Sequence, residues 1–323
     1  MFITSLARAG TTLVLELLSQ HPDLASHTYR DMPFVLAPVF WDRFFGRFRR
    51  EGEARERAHG DGVQIGFDSP ESFEEVFWKA HWPDHYRRAK QIPLWKPRHL
   101  HTEATAFFRK HMQKIVSLRR PENSAVARYV SKNNANIARI DLLKEMLPDA
   151  HILVVLRHPL EHAASLLRQH RNFAMQQAAD SFVTRYMADI GHFEFGELHR
   201  PFGFPGLSER ATPDAHDYWL AYWIAAFQHV EERYEHVQIL PYEALCSDPG
   251  PVLQQLCLTL DLDPDELSGA TDLIRPLTRK TDPGQFSPAL VAEAEAIYAT
   301  LSTRSGYPHA HADQEQTQTD RST

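Results

Sequence analysis

The chain has 323 residues, 43% of them hydrophobic and 24% charged, a globular composition with length enough for a sizeable core. A formal net charge of -7 excludes a protein that works by coating nucleic acid, because that needs a broad basic face; any anion bound here must meet a local cluster. Two cysteines, Cys246 and Cys257, provide neither a disulfide framework nor a zinc site, the 19 histidines follow no His-Glu-x-x-His pattern, and no run reaches the about 20 apolar residues of a membrane-spanning helix.

Residues 1–5 form a short apolar run, Gly10 breaks it, and Leu13, Leu17 and Leu18 then recur at helical spacing, which predicts strand, turn and helix over 1–20. His21-Pro22-Asp23 ends that helix, since the residue before a proline is pushed out of the helical region. The stretch from Arg47 to Asp61 is charged and glycine-bearing, with few apolar anchors, and reads as an exposed insertion. Phe73 to Tyr86 is rich in aromatics, suited to core or to a cleft, and Thr102 to Leu118 carries a helical apolar pattern.

An α/β rhythm follows: Ala125 to Ser131 as strand, Asn134 to Met146 as helix, His151 to Leu156 as strand, Pro159 to Arg171 as helix. The unbroken apolar run in His151 to Leu156 suits a central strand buried on both faces. Ala215 to Tyr234 reads as a long helix, Val237 to Leu240 as a strand and Pro251 to Leu260 as a helix. Without repeats or a clean linker, the expectation is one domain over 1–307, with insertions at about 30–120 and 172–215 and a disordered tail over 308–323.

Two short constellations carry chemistry. The turn Ser5-Leu6-Ala7-Arg8-Ala9-Gly10-Thr11-Thr12 aims unpaired helix N–H groups at whatever fills it; Arg8 offers a bidentate cation, Gly10 lets backbone approach an oxygen, and Thr11 and Thr12 offer hydroxyls. It is not a Walker A loop, which needs glycine in place of Ser5 and lysine directly after Gly10. On its own the octapeptide is equally an ordinary capped helix. At the end of the central strand, Arg157 is followed two helical turns on by Ser165, and both can grip one phosphate; separately they read as a surface arginine and a packing residue.

In this order and spacing the two motifs resemble those of the sulfotransferase superfamily, which uses 3′-phosphoadenosine 5′-phosphosulfate as donor. The resemblance implies a P-loop NTPase-like α/β fold, three layers with a central parallel sheet, and no metal. It implies donor binding by Arg8, Ala9, Gly10, Thr11 and Thr12 at the 5′ end and by Arg157 and Ser165 at the 3′-phosphate. Ser131-Lys132-Asn133-Asn134 looks like the lysine segment of tyrosylprotein and related bacterial sulfotransferases, which implicates Lys132 with Arg8 in catalysis. Tyr242, in Leu240-Pro241-Tyr242-Glu243-Ala244-Leu245, is similar to a tyrosine beside the nucleotide, and Arg279-Lys280 resembles a basic segment that closes over the 3′-phosphate, though the usual glycines are absent.

The general base is expected at His27 or Asp31, and more distantly at His192. Arg30 matches an arginine that in the tyrosylprotein enzymes follows the basic glutamate by three positions, which puts His27 at the base; Asp31 is equally a structural ion-pair partner. The segment from Gly191 to Gly196 is either an acceptor-side loop or a packed turn. The acceptor stays open among glycan, lipid, tyrosine and small alcohol or phenol, as does a second copy of the chain as partner. A P-loop nucleotide kinase and a non-catalytic nucleotide-binding protein are the rival readings. Met1 precedes Phe2-Ile3 rather than a basic segment, so the chain is expected to be cytoplasmic; only four residues precede Ser5, so the natural start is expected upstream.

Overall fold

A computed structural model of the protein describes residues 1–45, 55–56, 64–65, 69–71, 73–87, 90–207, 212–277 and 281–307. The tail expected at 308–323 lies outside the described residues, as does the charged stretch 47–61 apart from Arg55 and Glu56.

In chain order the strands are β1 (Phe2–Thr4), β2 (Leu24–Ala25), β3 (Arg55–Glu56), β4 (Gln64–Ile65), β5 (Arg128–Tyr129), β6 (Ser131–Lys132), β7 (Ile152–Leu156) and β8 (Gln238–Pro241). The helices are α1 (Thr11–Leu18), α2 (Pro38–Phe45), α3 (Glu74–His81), α4 (Pro83–Tyr86), α5 (Thr102–Arg119), α6 (Ile140–Met146), α7 (Pro159–Ala179), α8 (Ser181–Ile190), α9 (His216–Glu231), α10 (Tyr242–Ser247), α11 (Pro249–Thr259) and α12 (Pro288–Ser305). Four strands form a parallel sheet in the order β6-β1-β7-β8.

The apolar run predicted for a central strand is β7, with all five residues buried between β1 and β8. Its side chains alternate between two cores, as the pleat requires. Leu153 and Val155 pack with Val14 and Leu18 of α1 and Leu253 and Leu256 of α11. Ile152, Val154 and Leu156 pack with Leu166 of α7 and Trp223 and Phe227 of α9. Helices therefore cover both faces, the three-layer α/β/α arrangement that an all-parallel sheet needs.

Three elements differ from the sequence reading. The strand expected over 125–131 is two pieces, because the chain changes sheets at Val130: β5 pairs with β2, and β6 with β1. The helix expected over 134–146 breaks at Arg139, where a 3-10 turn (Asn134–Ala138) gives way to α6. Arg139 is 0% exposed, and its guanidinium is drawn into Glu75 at 2.7 and 2.8 Å and onto the rings of Trp78 and Trp95. Finally, α7 runs past Arg171 to Ala179, since Phe173 and Gln177 stay buried and continue its inward face.

The sheet is parallel and in register, Ile3 beside Lys132 and Leu153, and Leu156 beside Pro241. The chain therefore leaves β1, β6, β7 and β8 at one edge, where Arg8, Asn134, Arg157 and Tyr242 follow. This is where open α/β sheets bind ligands.

Candidate active site

The loop from Ser5 to Gly10 is held from below and from the side. His162 of α7 is fully buried, and burial first, then Arg157 and Arg8, lower its pKa to about 3, so its neutral imidazole donates to the Ala7 carbonyl at 2.7 Å. Arg8 has φ +71°, a left-handed conformation that side chains resist, and its carbonyl accepts from Arg157 Nη1 at 2.6 Å. Gly10 follows at φ +97° without a side-chain cap on α1, and the first intrahelical bond is Val14 N–H to its carbonyl. The N–H groups before Val14 thus face the loop's hollow.

Tyr242 closes the other side. Its ring lies against Gly10 so closely that a Cβ there would overlap the ring, and the Arg157 guanidinium stands 5.5 Å from the ring centroid. Ser5 Oγ and Arg157 Nε are among the buried polar atoms of this region that have no hydrogen-bond partner among the described residues. A glycine cradle, a helix N-terminus, two arginines and an aromatic wall fit an anionic nucleotide. Thr12 is half-buried in the first turn of α1, and Ser165 is 5% exposed on α7; Arg279 and Lys280 lie outside the described residues.

Thr11 does not point idly from the helix. Its hydroxyl donates to Asn134 Oδ1 at 3.0 Å, Asn134 Nδ2 donates to Glu194 Oε1 at 2.9 Å, and Glu194 Oε2 meets His192 Nε2 at 2.8 Å. Thr4, the last residue of β1, donates to the Asn134 carbonyl at 3.1 Å and fixes that turn to the sheet. Burial alone would raise the Glu194 carboxyl, but His192, Lys132 and the Asn134 amide outweigh it and bring it down to about 2. Glu194 is thus an anion at any working pH.

Lys132, Asn134, His192 and Glu194 stand on the wall of a cavity of about 320 Å³. Most of the rest of its wall is apolar, from α3, α8 and α9 and from the segment between α8 and α9.

His27 and Asp31 do not line this cavity. Both are 2% exposed: His27 Nδ1 bonds Asp31 Oδ2 at 2.8 Å, His27 Nε2 bonds His111 Nε2 at 2.8 Å, and Asp31 Oδ1 receives Arg119 at 2.5 Å. Asp31 also accepts the Thr28 N–H and caps its own turn. With every ring nitrogen and carboxylate oxygen engaged inside the protein, the pair fastens the Thr28–Asp31 turn to α5. Of the three residues expected as a possible base, His192 is the one that lines the cavity among the described residues.

Residues with no local sequence signal complete the site. Glu74, 3% exposed, accepts from Trp78 Nε1 at 2.7 Å, Asn136 Nδ2 at 2.9 Å and Ser131 Oγ, and so fixes the strand that carries Lys132. Its partners are 57 and 62 residues away for Ser131 and Asn136, beyond any spacing rule. Glu194 was visible only as part of an aromatic turn.

The model of the family described as "Sulfotransferase family" matches residues 1–266. No curated protein matches the sequence. Among solved structures, the chain is similar to sulfotransferase STF9 from Mycobacterium avium, with 13% identity, 95% of this chain and 77% of that one covered, and a TM-score of 0.53. It is also similar to sulfotransferase STF1 from Mycobacterium tuberculosis H37Rv, with 15% identity, coverage of 93% and 76%, and a TM-score of 0.49.

Proposed function

The chain belongs to the sulfotransferase family, and we propose that it transfers a sulfuryl group from 3′-phosphoadenosine 5′-phosphosulfate to a hydroxyl-bearing acceptor in the cavity. The observation that carries this reading is the part-buried relay Thr11–Asn134–Glu194–His192, which joins the loop before α1 to the cavity wall.

The donor, when bound, supplies the activated sulfuryl group. Arg8, the N–H groups of the first turn of α1, Arg157 and Tyr242 hold its phosphates and base side. Glu194 meets His192 at Nε2 and holds the imidazole in place on the cavity wall. His192 takes the acceptor's proton as the acceptor oxygen bonds to sulfur and the sulfur–phosphate oxygen bond breaks, and Glu194 stabilises the imidazolium that forms. Lys132, close enough to Glu194 to lower its pKa, places an ammonium beside the reacting groups.

Adenosine 3′,5′-bisphosphate should raise the melting temperature of the protein, ATP with Mg²⁺ should do so far less, and Arg157→Ala should abolish the difference. A preference for ATP with Mg²⁺ would sink the reading in favour of a phosphoryl transferase.

A further inference from the structure

We infer that the acceptor is an apolar hydroxyl compound, a phenol with a one- or two-ring body, and not a glycan; this rests on the sulfuryl-transfer reading. The cavity walls are Phe73, Phe195, Phe202, Trp219, Ile92 and Leu166, among others. A volume of about 320 Å³ is at the small end of the range for pockets that enclose a compact ligand.

Many of the polar side chains on these walls already bond within the protein. Glu75 takes two bonds from Arg139 and further ones from Tyr86 and Asn133 Nδ2. Arg200 donates to the Tyr86 carbonyl at 2.7 Å and lies 3.6 Å from the centroid of Phe193. Tyr222 receives the Phe202 N–H, the Trp219 indole donates to the Pro213 carbonyl, and the Tyr29 hydroxyl donates to Glu71. A sugar ring would bury several hydroxyls against these rings with no partner, each unmatched one weakening binding about tenfold. A phenol carries one hydroxyl, and the cluster of Lys132, His192 and Glu194 is one place to put it.

Chemistry and access agree with this choice. A phenol, with a pKa of about 10, gives its proton to an imidazole far more readily than an alkanol does. The mouth is aromatic too: Tyr186 of α8 lines the cavity, is 42% exposed, and stacks at 6.1 Å on Phe182, itself 66% exposed.

Initial rates with the donor should be compared for 2-naphthol, 1-decanol and N-acetyllactosamine, alongside the thermal shift by adenosine 3′,5′-bisphosphate. The expected kcat/KM for 2-naphthol exceeds that for the disaccharide by about 100-fold and that for decanol by about tenfold. Val76→Arg and, independently, Ile190→Glu put a charge on the cavity wall and should raise KM for 2-naphthol about tenfold while the bisphosphate shift persists. A disaccharide turned over as well as naphthol, decanol preferred, or no turnover of any of the three while bisphosphate still stabilises the protein would each overturn the acceptor assignment alone. Loss of the bisphosphate shift in the wild-type protein would instead overturn the donor reading beneath it.

Discussion

Replacing Glu194 by glutamine tests the relay with almost no change of shape. The side chain is 22% exposed and is held between Asn134 and His192, with its carboxyl at about 2 where an unperturbed glutamate has 4.5. That depression corresponds to about 3 kcal/mol of folded-state stabilisation. The sign follows from the direction: stability from a lowered carboxyl is complete above 4.5 and is lost as pH falls through 2. The difference in unfolding free energy between wild type and Glu194→Gln, measured by urea titration, should therefore be full at pH 7 and shrink below pH 4.5. In catalysis, the variant loses the anion that meets His192 and balances its charge, so kcat should fall about 100-fold, with KM for the donor within about threefold. Stopped-time assays with labelled donor at pH 7 read both constants. A kcat within about threefold of wild type would refute the relay; a lost donor affinity with intact kcat would reduce Glu194 to a prop for the loop.

Gly10→Ala must adopt φ +97° with a Cβ against Tyr242, so it should lose about 1–2 kcal/mol and most of its bisphosphate thermal shift. His27→Ala removes a buried partner from Asp31 and His111 and should destabilise by about 2–3 kcal/mol, with kcat near wild type at low temperature; a large loss of kcat at unchanged stability would restore His27 as the base. Burial and nearby cations lower the pKa values of the buried His111 and His162 to about 3, so the unfolded chain binds protons that the folded one refuses. Each contributes stability present above about 6.5 and lost as pH falls from there towards 3, about 2 kcal/mol by pH 5, so melting temperature should drop over that window and His162→Gln should drop less steeply.

The sheet and its two covering layers were legible in the sequence because they rest on local patterns: the five buried residues of β7, the leucine spacing of α1, and the turn at Gly10. The loop was legible for the same reason, since Arg8, Gly10 and Thr11 are neighbours in the chain. The packing around His27 was not. His27 was placed by its distance from Arg30, but position in a chain says nothing of what packs on it, and α5, some 84 residues on, delivers His111 to its other nitrogen. The partners of Glu194 and Glu74 are not legible because they come from distant elements: Asn134 lies 60 positions from Glu194, and Asn136 lies 62 from Glu74.

Asn134 ties the loop before α1 to the cavity wall. It must accept from the Thr11 hydroxyl on one side and donate to the Glu194 carboxylate on the other, and a side-chain amide does both at once. Aspartate would set two anions against each other, and alanine would leave Thr11 and Glu194 without their partner. Hydrogen bonds in series polarise one another, so a change at Thr11, in the first turn of α1, is felt at the carboxylate that meets His192. Because Thr4 also pins the Asn134 backbone to β1, the relay cannot relax by sliding. The position of the helix N-terminus and the orientation of the imidazole are consequently set together, by one side-chain amide.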